Sequence, residues 1–335
     1  MDTVCVDAMG GDLGSQVVLD GIELALKADK DLQVLIAGNG EVVEPFCEAH
    51  ERALSLVTTE VIAMDEHPVK AVRSKRDSSI TRGCMAVRDG EAQAFFSAGS
   101  TGACLAAATL FIGRDKGVLR PALSAVLPGL DGHQTCVCDL GANADCRPEM
   151  LVQFAQMASV LAQVEAGCGP KPSVGLLSNG SEKTKGSEQA LAFHEALEAA
   201  GEEGLINFAG NCEGNDILMG SFDVIVCDGF TGNVALKAME GTAKYIAASL
   251  KAEAKMSPVA ALGALMIKPA FSSIAAGLSG DEHGGACLLG VKAPVLVGHG
   301  HTSPEAIKNG ALAAVRVIRE DLVGKIAAQL SSQDK

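Results

Sequence analysis

The sequence of 335 residues contains no tryptophan and one tyrosine, and it is poor in basic side chains. Its 27 Lys and Arg stand against 41 Asp and Glu, which gives a formal net charge of −14. This charge argues against a general nucleic-acid-binding protein, because such proteins need a basic surface to neutralise phosphates. No apolar run reaches the roughly 18 residues that span a bilayer, and the N-terminus lacks the pattern of a signal peptide. We therefore expect a cytoplasmic protein.

Metal and redox motifs are also missing. The 11 cysteines include no Cys-x-x-Cys pair, which favours buried thiols in a reducing compartment. His299 and His301 stand two apart without a cysteine or acid at metal-ligand spacing. Gly38 and Gly40 begin a dinucleotide-type fingerprint, but Val43 occupies the third glycine position. We therefore expect neither a metal nor a nicotinamide cofactor.

What the sequence does contain is a repeated order of short apolar stretch, glycine-rich polar loop and helix. Strands joined by helices run parallel, and their C-terminal loops gather on one edge of a sheet. The pattern predicts one α/β unit over residues 1–330, with a mostly parallel sheet, a site built from several loops and a tail at 331–335. The predicted strands are 3–7, 33–37, 94–97, 135–139, 173–177, 205–209, 224–227 and 294–297.

The stretch 223–237 carries the densest set of candidate site residues. An apolar strand ends at Asp228-Gly229, and a helix follows through Thr231, Gly232 and Asn233. A helix N-terminus presents free backbone N–H groups and a positive dipole end, which favour an anion. The alternative is an ordinary strand–helix turn, in which Gly and Asp serve geometry alone.

A second glycine-rich loop runs from Ser97 to Gly102. Its small hydroxyl residues and glycines allow backbone amides to approach a phosphate closely. The loop is not a P-loop, since the Gly-Lys-Ser/Thr ending is absent, and Ala98 occupies the position where a nucleophile elbow needs glycine.

Two other stretches stand out. The first is a basic cluster, which is either a solvated helix face or a docking patch for an acidic partner. The second is the apolar run 256–271, which is either a helical hairpin buried in a dimer interface or a tip that dips into a membrane surface. The basic cluster consists of Lys70, Arg73, Lys75 and Arg76.

Taken together, these motifs resemble the bacterial phosphate acyltransferase family, in the same order from residue 4 to about 320. The resemblance implies transfer of an acyl group from acyl carrier protein to inorganic phosphate, which gives an acyl phosphate for phospholipid synthesis. Ser100 stands where asparagine is usual in that family. The motifs that carry the resemblance lie at 7–12, 97–103, 120–123, 139–143, 176–186, 210–216, 228–233 and 284–290.

The resemblance also implies a structure and partners. The fold is expected to be a three-layer αβα arrangement related to isocitrate and isopropylmalate dehydrogenases and to phosphotransacetylases, in a homodimer. An apolar helical tip at about 245–280 is expected to attach the protein peripherally to the inner face of the cell membrane, near a downstream glycerol-3-phosphate acyltransferase. The candidate tip residues are Val259, Leu262, Leu265 and Met266.

The chemistry of this transfer needs no protein nucleophile, because a phosphate oxygen attacks the thioester itself. It needs an anion site and a cation that offsets the charge of the tetrahedral intermediate. Lys185 matches the Lys-Gly ending of the family's loop and is the predicted cation, with Lys183 as its neighbouring alternative. Asp228 is expected to orient phosphate or move a proton, with Asn233 beside it. The predicted phosphate- and substrate-binding residues are Ser97, Gly99, Ser100, Thr101, Gly102, Asn143, Gly229, Thr231 and Gly232.

Three other functions are compatible with the sequence. A decarboxylating hydroxyacid dehydrogenase would share the fold but needs a nicotinamide site and a metal-binding carboxylate cluster. A short-chain phosphotransacetylase would accept acyl-CoA in place of the carrier protein. A membrane-surface scaffold for the next acyltransferase would need the apolar tip but neither Lys185 nor Asp228.

Overall fold

A computed structural model describes residues 1–255, 257–278, 284–298 and 303–331 of the chain. The strands in these ranges are β1 (Asp2–Asp7), β2 (Leu32–Gly38), β3 (Ala53–Val57), β4 (Ala94–Ser97), β5 (Ala122–Pro128), β6 (Gln134–Cys138), β7 (Ser173–Leu177), β8 (Asn207–Cys212), β9 (Val224–Val226), β10 (Ala286–Leu289) and β11 (Val295–Val297). They join one sheet of order β3-β2-β1-β4-β11-β10-β5-β6-β9-β7-β8.

Most helices of the described ranges lie between successive strands, and the last two follow the final strand. The fifth helix continues as a π-helical turn, Ala108–Ile112. The helices are α1 (Ser15–Ala28), α2 (Gly40–Ala49), α3 (Pro68–Ser74), α4 (Ser79–Arg88), α5 (Thr101–Ala107), α6 (Pro148–Glu165), α7 (Glu188–Glu202), α8 (Asp216–Met219), α9 (Gly229–Ala254), α10 (Pro258–Leu278), α11 (Pro304–Arg319) and α12 (Leu322–Ser331).

Local sequence explains where many of these helices begin. Side-chain oxygens at the N-caps accept hydrogen bonds from backbone N–H groups of the first turn, which satisfies donors that the helix itself leaves free. Ser100 caps α5, Ser187 caps α7 and Asp228 caps α9 in this way. Each of these capped ends follows a buried strand, so the caps also fix the loops of the candidate site.

The helices cover both faces of the sheet, so the predicted three-layer αβα arrangement is confirmed. One face packs against α1, α2, α6, α7, α11 and α12 in a continuous core. The opposite face packs against two separate clusters, one with α3, α4 and α5 and one with α8 and α9. The gap between these two clusters leaves room for a cleft over the middle of the sheet.

The sheet is mostly parallel, as predicted, but its two halves run in opposite directions. The antiparallel pairs β11–β10, β10–β5 and β5–β6 reverse the direction between them. The strands that end at Asp7 and Ser97 therefore point opposite to those that precede Asp139 and Asp228. The prediction that all the loops gather on one edge is wrong, because the sequence pattern did not reveal β5 and its antiparallel neighbour β10.

The two sets of loops nevertheless come close to each other. In the register of the sheet, Ser97 at the end of β4 is aligned with Ala286 of β10. Cys138, at the end of β6, is aligned with Cys287, the next residue of β10. The central strands are short, so oppositely directed strands end near the same line across the sheet.

Helices α9 and α10 pack against each other, and most of their side chains in the described ranges are exposed. Among the helices that the structure describes, none is both long and apolar enough to cross a membrane. Of the predicted tail, the structure describes only Ser331, which ends α12, and residues 332–335 lie outside the described residues. The division into a unit 1–330 and a tail stays a prediction.

Candidate functional site

A central cleft of about 210 Å3 lies on the divided face of the sheet, between α5 and α9. Its floor is the apolar face of β5, and its walls combine apolar side chains with a few polar groups. This composition suits an acyl chain with a polar reacting end. Among its lining residues are Thr101, Gly102, Leu105, Leu123, Leu127, Leu140, Asn233, Leu236 and Lys237.

A second pocket, of about 330 Å3, lies between the N-terminal ends of α7 and α9 and is here called the Asp228 pocket. Two helix N-termini meet there, each with a positive dipole end, which favours an anionic ligand. The first turn of α9 separates this pocket from the central cleft. Among its lining residues are Ser178, Asn179, Gly186, Ser187, Gln189, Phe193, Asp228 and Thr231.

Asp228 is held as the N-cap of α9. One carboxylate oxygen accepts from the Thr231 backbone N–H at 2.8 Å, and the other accepts from the Thr231 hydroxyl at 2.7 Å. The side chain is half-buried, and each oxygen keeps lone pairs that these bonds do not use. The carboxylate is therefore fixed in orientation but still able to accept a hydrogen bond from a ligand.

A buried carboxylate, Asp139, organises the wall between the cleft and the Asp228 pocket. Its oxygens accept from the backbone N–H groups of Leu123, Gly141, Ala142 and Asn143 at 2.8–3.1 Å, and from the Asn143 amide at 2.8 Å. Burial raises the pKa of this carboxyl, and the hydrogen bonds oppose that shift. Asp139 thus holds the 139–143 loop in one conformation.

The first turn of α9 is packed directly against this loop. The Gly229 backbone N–H donates to the Asn143 carbonyl at 2.7 Å. A Cβ at Gly232 would lie 2.0 Å from the Asp139 carbonyl oxygen, so only glycine fits. Sequence reasoning singled out Gly229 and Gly232 as phosphate contacts, and the structure places both against the protein backbone.

Sequence reasoning missed Asp139 as a site-organising residue, although it lies inside a motif that carried the family resemblance. The available signal was an acid at the end of an apolar strand, directly before a glycine-rich loop. Asp7 follows the same pattern at the end of β1. It accepts from the Ser97 hydroxyl at 2.7 Å and from the Met9 backbone N–H at 2.9 Å, and burial raises its pKa.

The Ser97–Gly102 loop is held by this second carboxylate. The Ser97 hydroxyl donates to Asp7 and accepts from the Gly99 backbone N–H at 2.9 Å. The Ser100 hydroxyl accepts from the Ala103 N–H at 3.4 Å at the start of α5. These hydroxyls are engaged within the protein, whereas Thr101 and Gly102 line the central cleft.

The predicted cation lies on the loop 178–187, beside the Asp228 pocket. Gly186 and Ser187, the two residues after Lys185, line that pocket. The Lys185 side chain is exposed and makes no ion pair with any residue in the described ranges. Its neighbour Lys183 forms an ion pair with Glu198 of α7. Of the two lysines, Lys185 is therefore the one whose ammonium is free to meet a ligand.

The structure thus divides the predicted site residues into three groups. Asp228 and Thr231 line the Asp228 pocket, with Lys185 on the adjoining loop. Thr101, Gly102 and Asn233 line the central cleft, where the Asn233 amide donates to the Leu140 carbonyl at 3.1 Å. The remainder support the loops through internal contacts: Ser97, Gly99, Ser100, Asn143, Gly229 and Gly232.

Lys237 is a charged lining residue of the central cleft that was not among the predicted site residues. It lies two turns into α9 and lines the central cleft, with its ammonium 3.0 Å from Glu240. Its signal was its position on the same helix as Asn233, one turn further along.

The basic cluster lies on and just after α3, beside the cleft. A Cβ at Gly102 would lie 2.6 Å from Pro68, the first residue of α3, so this helix packs on the cleft-lining α5. Lys75 is paired with Glu66 at 2.6 Å, and the Arg76 guanidinium stacks on the Phe111 ring. Within the described residues, Lys70 and Arg73 are exposed and make no ion pair.

The four tip candidates lie on α10 and are between 61 and 81% exposed. Together with α9 this helix borders a groove of about 470 Å3 lined mainly by alanine and leucine. The tip candidates are Val259, Leu262, Leu265 and Met266. His299 and His301 lie outside the described residues.

Comparison with known proteins places this architecture in a family. A family model described as fatty acid synthesis protein matches residues 3–325. The chain belongs to this family. A phosphate acyltransferase from Levilactobacillus brevis is 44% identical to the chain over 333 residues, which are 98% of this chain and 94% of the relative. The predicted family and enzyme class, an acyltransferase, are confirmed.

Solved structures show the same fold at low sequence identity. A phosphotransacetylase from Streptococcus pyogenes has a TM-score of 0.61 and 18% identity, covering 95% of this chain and 94% of its own. A Salmonella typhimurium protein named as a 4-hydroxythreonine-4-phosphate dehydrogenase has a TM-score of 0.50 and 13% identity, covering 98% of this chain and 100% of its own. The predicted fold class, shared by acyltransferases and dehydrogenases, is confirmed.

Proposed function

We propose that this member of the fatty acid synthesis protein family transfers a fatty acyl group from acyl-acyl carrier protein to inorganic phosphate, giving an acyl phosphate for phospholipid synthesis. The observation that carries the proposal is the position of the first turn of α9. One side of this turn carries Asp228 and Thr231 and faces a polar pocket between two helix N-termini. The other side carries Asn233 and Leu236 and faces a mostly apolar cleft. A small anion and an acyl chain can therefore bind on the two sides of one turn.

In the proposed reaction the thioester end of the acyl group extends from the cleft past the first turn of α9 to the phosphate, so that the reacting atoms are in contact. A phosphate oxygen attacks the thioester carbonyl carbon, and a tetrahedral intermediate forms with negative charge on the former carbonyl oxygen. Collapse of this intermediate breaks the carbon–sulfur bond and releases the carrier thiolate, which then takes up a proton. The Lys185 ammonium is proposed to offset the negative charge, which is the contribution expected of a preorganised cation.

Asp228 is proposed to hold the attacking phosphate in line. Its two bonds with Thr231 fix the carboxylate, so a hydroxyl of the phosphate can donate to a defined oxygen. The same contact would receive the phosphate proton as the new bond forms. Thr101 and Gly102 are proposed to face the acyl end of the substrate across the cleft.

The decisive experiment mixes the protein with long-chain acyl carrier protein and phosphate and traps acyl phosphate as the hydroxamate. We expect product with the wild-type chain, and we expect Lys185→Ala to lower kcat by about 10²–10³-fold through loss of one charge-stabilising group. Lys183→Ala is the matched control, because that lysine is paired with Glu198. Near-normal turnover by Lys185→Ala would exclude the proposed role.

A short-chain phosphotransacetylase activity is the second candidate, because a solved phosphotransacetylase shares the fold over 94% of its length. The same assay with short-chain acyl-CoA separates the two. Faster turnover of acyl-CoA than of acyl carrier protein would favour the second candidate. A nicotinamide absorbance change with hydroxyacids would favour a dehydrogenase instead.

Carrier-protein docking is proposed for the free part of the basic cluster, Lys70 and Arg73. They lie beside the cleft, and Lys75 and Arg76 are already engaged within the protein. We expect Lys70→Glu with Arg73→Glu to raise KM for the acyl carrier protein about tenfold, with little change in kcat, because charge complementarity mainly steers encounter. Lys30→Glu with Lys171→Glu, two exposed lysines outside α3 without an ion pair in the described residues, is the control. Equal effects of both pairs would contradict specific docking.

Membrane attachment through α10, a homodimer and cooperation with a downstream glycerol-3-phosphate acyltransferase complete the proposal. The exposed apolar side chains of α10 support this proposal, because a large exposed apolar patch is typical of a surface that binds a membrane or another protein. A scaffold without catalysis is the alternative, and it would retain its cellular role in Lys185→Ala.

A further inference from the structure

A buried histidine–asparagine pair lies beneath the loop that carries Lys185. His194 of α7 and Asn211 of β8 are 5% and 6% exposed. The His194 Nδ1 and Asn211 Oδ1 atoms are 2.8 Å apart. An amide oxygen has no hydrogen to donate, so the imidazole carries its hydrogen on Nδ1 and donates it to Asn211.

Asn211 transmits this contact to the loop. Its Nδ2 atom donates to the Glu182 carbonyl at 3.0 Å. The same carbonyl accepts from the Lys185 backbone N–H at 3.0 Å. The side-chain pair therefore fixes the carbonyl around which the turn 182–185 is built.

Packing alone does not account for a histidine at this position. Its second ring nitrogen, Nε2, is buried and has no hydrogen-bond partner in the described part of the chain, and the ring meets Phe208 edge-on at 5.2 Å. A buried polar atom without a partner has lost its hydration without compensation, and an apolar side chain would avoid this cost. What histidine supplies there is the Nδ1–H bond to Asn211.

The Ser178 backbone N–H donates to the Cys212 carbonyl at 2.8 Å at the start of the loop, but the other side-chain contacts of the loop are long or exposed. The Ser178 hydroxyl is 3.5 Å from the Lys185 carbonyl, and the Lys183–Glu198 ion pair lies at the surface. Exposed ion pairs contribute little because solvent screens them. The bond from Asn211 to Glu182 is partly buried, and the His194–Asn211 bond behind it is fully buried.

We infer that His194 is a positioning residue, which acts through Asn211 to hold the turn 182–185 and so sets where the Lys185 ammonium stands beside the Asp228 pocket. The inference rests on the proposed function, in which Lys185 offsets charge in the tetrahedral intermediate. A misplacement of a catalytic group by about 1 Å costs on the order of 100-fold in rate.

The first test compares His194→Leu with His194→Asn in the hydroxamate assay. Leucine removes the donor, whereas asparagine can place an amide nitrogen near the position of the imidazole Nδ1. We expect His194→Leu to lower kcat about 10–100-fold with KM for phosphate within about threefold, because the interaction lost acts in the transition state. We expect His194→Asn to restore most of kcat. Equal losses in both variants would overturn the inference.

The second test repeats His194→Leu in a Lys185→Ala background. If His194 acts through Lys185, the second change lowers the residual turnover by less than about twofold, because coupled residues are not additive. The same fold-loss in both backgrounds would show that His194 acts through the fold in general and would overturn the inference. Glu198→Gln is the matched control, because it removes the exposed Lys183–Glu198 ion pair of the same loop. It is expected to leave kcat unchanged.

A readout without turnover separates this inference from the proposed function. Amide hydrogen exchange over residues 179–187 is expected to speed up in His194→Leu but not in His194→Asn, since only the former frees the turn. Unchanged exchange in His194→Leu would overturn the inference even if activity falls. Absence of acyl phosphate with the wild-type chain would instead refute the proposed function, and the exchange experiment would still decide whether the buried pair holds the loop.

Discussion

At the scale of single residues, the candidate site depends on buried polar groups that do not themselves face a ligand. Asp139 holds the 139–143 loop by accepting hydrogen bonds from it, and Asp7 holds the Ser97–Gly102 loop in the same way. Each of these carboxylates lies where an apolar strand gives way to a glycine-rich loop. Buried carboxylates are tolerated there because several backbone N–H groups point at them.

The ion pairs of Arg319 connect distant segments of the chain outside the candidate site. Arg319 of α11 pairs with Asp2 at 2.7 Å and with Asp29 at 2.9 Å. Its guanidinium hydrogen-bonds to Asp29 and holds the pKa of that carboxyl below its ordinary value. The stabilisation from Asp29 is therefore complete above its ordinary pKa of 3.8 and is lost as pH falls through the lower folded-state pKa.

We expect Arg319→Met to lower the free energy of unfolding by about 1 kcal/mol near neutral pH, which is typical of a partly exposed pair. The difference from wild type is expected to shrink as pH falls below the depressed pKa of Asp29, because the protonated carboxyl no longer attracts the guanidinium. Urea unfolding at neutral and acid pH measures this. Arg88→Met, which removes a wholly surface pair with Asp89, is the control. A difference that persists in acid would contradict the assignment.

At the scale of elements, α9 has two parts with different surroundings. Its first turn is packed against the Asp139 loop, whereas its second half extends away from the sheet beside α10. One helix thus connects the site to the exposed tip. Two glycines of α9 show this difference. A Cβ added at Gly232 would clash with backbone atoms, whereas a Cβ added at Gly241 would have no atom within 4 Å.

We expect Gly232→Ala to destabilise the protein by about 3 kcal/mol or more, because the new methyl group must displace backbone. Gly241→Ala is the matched control in the same helix, and it is expected to stabilise by about 0.5–1 kcal/mol through helix propensity. Thermal and urea unfolding measure both. A tolerated alanine at Gly232 would mean that the first turn is not packed as described.

At the scale of the whole molecule, the exposed apolar side chains of α10 need a partner. The sequence left a membrane surface and a dimer interface as alternatives, and we propose the membrane. We expect Leu262→Gln, Leu265→Gln and Met266→Gln together to lower sedimentation with anionic phospholipid vesicles about tenfold, because binding scales with buried apolar area. Turnover of dissolved substrates is expected to remain near wild type.

Leu110→Gln with Leu130→Gln, exposed apolar positions on the body, is the matched control for the tip. The oligomeric state of each variant is measured by sedimentation in solution. If the tip variant dissociates while its vesicle binding is unchanged, the tip is the dimer interface and the membrane proposal fails.

Sequence alone determined most of the elements and the family. Predicted strands at 94–97 and 173–177 agree with the structure, because apolar β-rich stretches bounded by glycine loops have a strong local signal. The strand expected at 205–209 lies at Asn207–Cys212, since its alternating burial gave no clear ends. The ordered motifs pointed to the acyltransferase family, which the comparisons confirmed.

Only the tertiary structure decided how the two halves of the site meet. The antiparallel strands β5 and β10 reverse the sheet, and nothing local in a strand specifies its direction relative to a partner far along the chain. The roles of Asp139, Asn143 and His194 also needed the fold, because their partners lie on other elements. Local pattern fixes helices, strands and caps, whereas long-range pairing decides which capped loop faces which cleft.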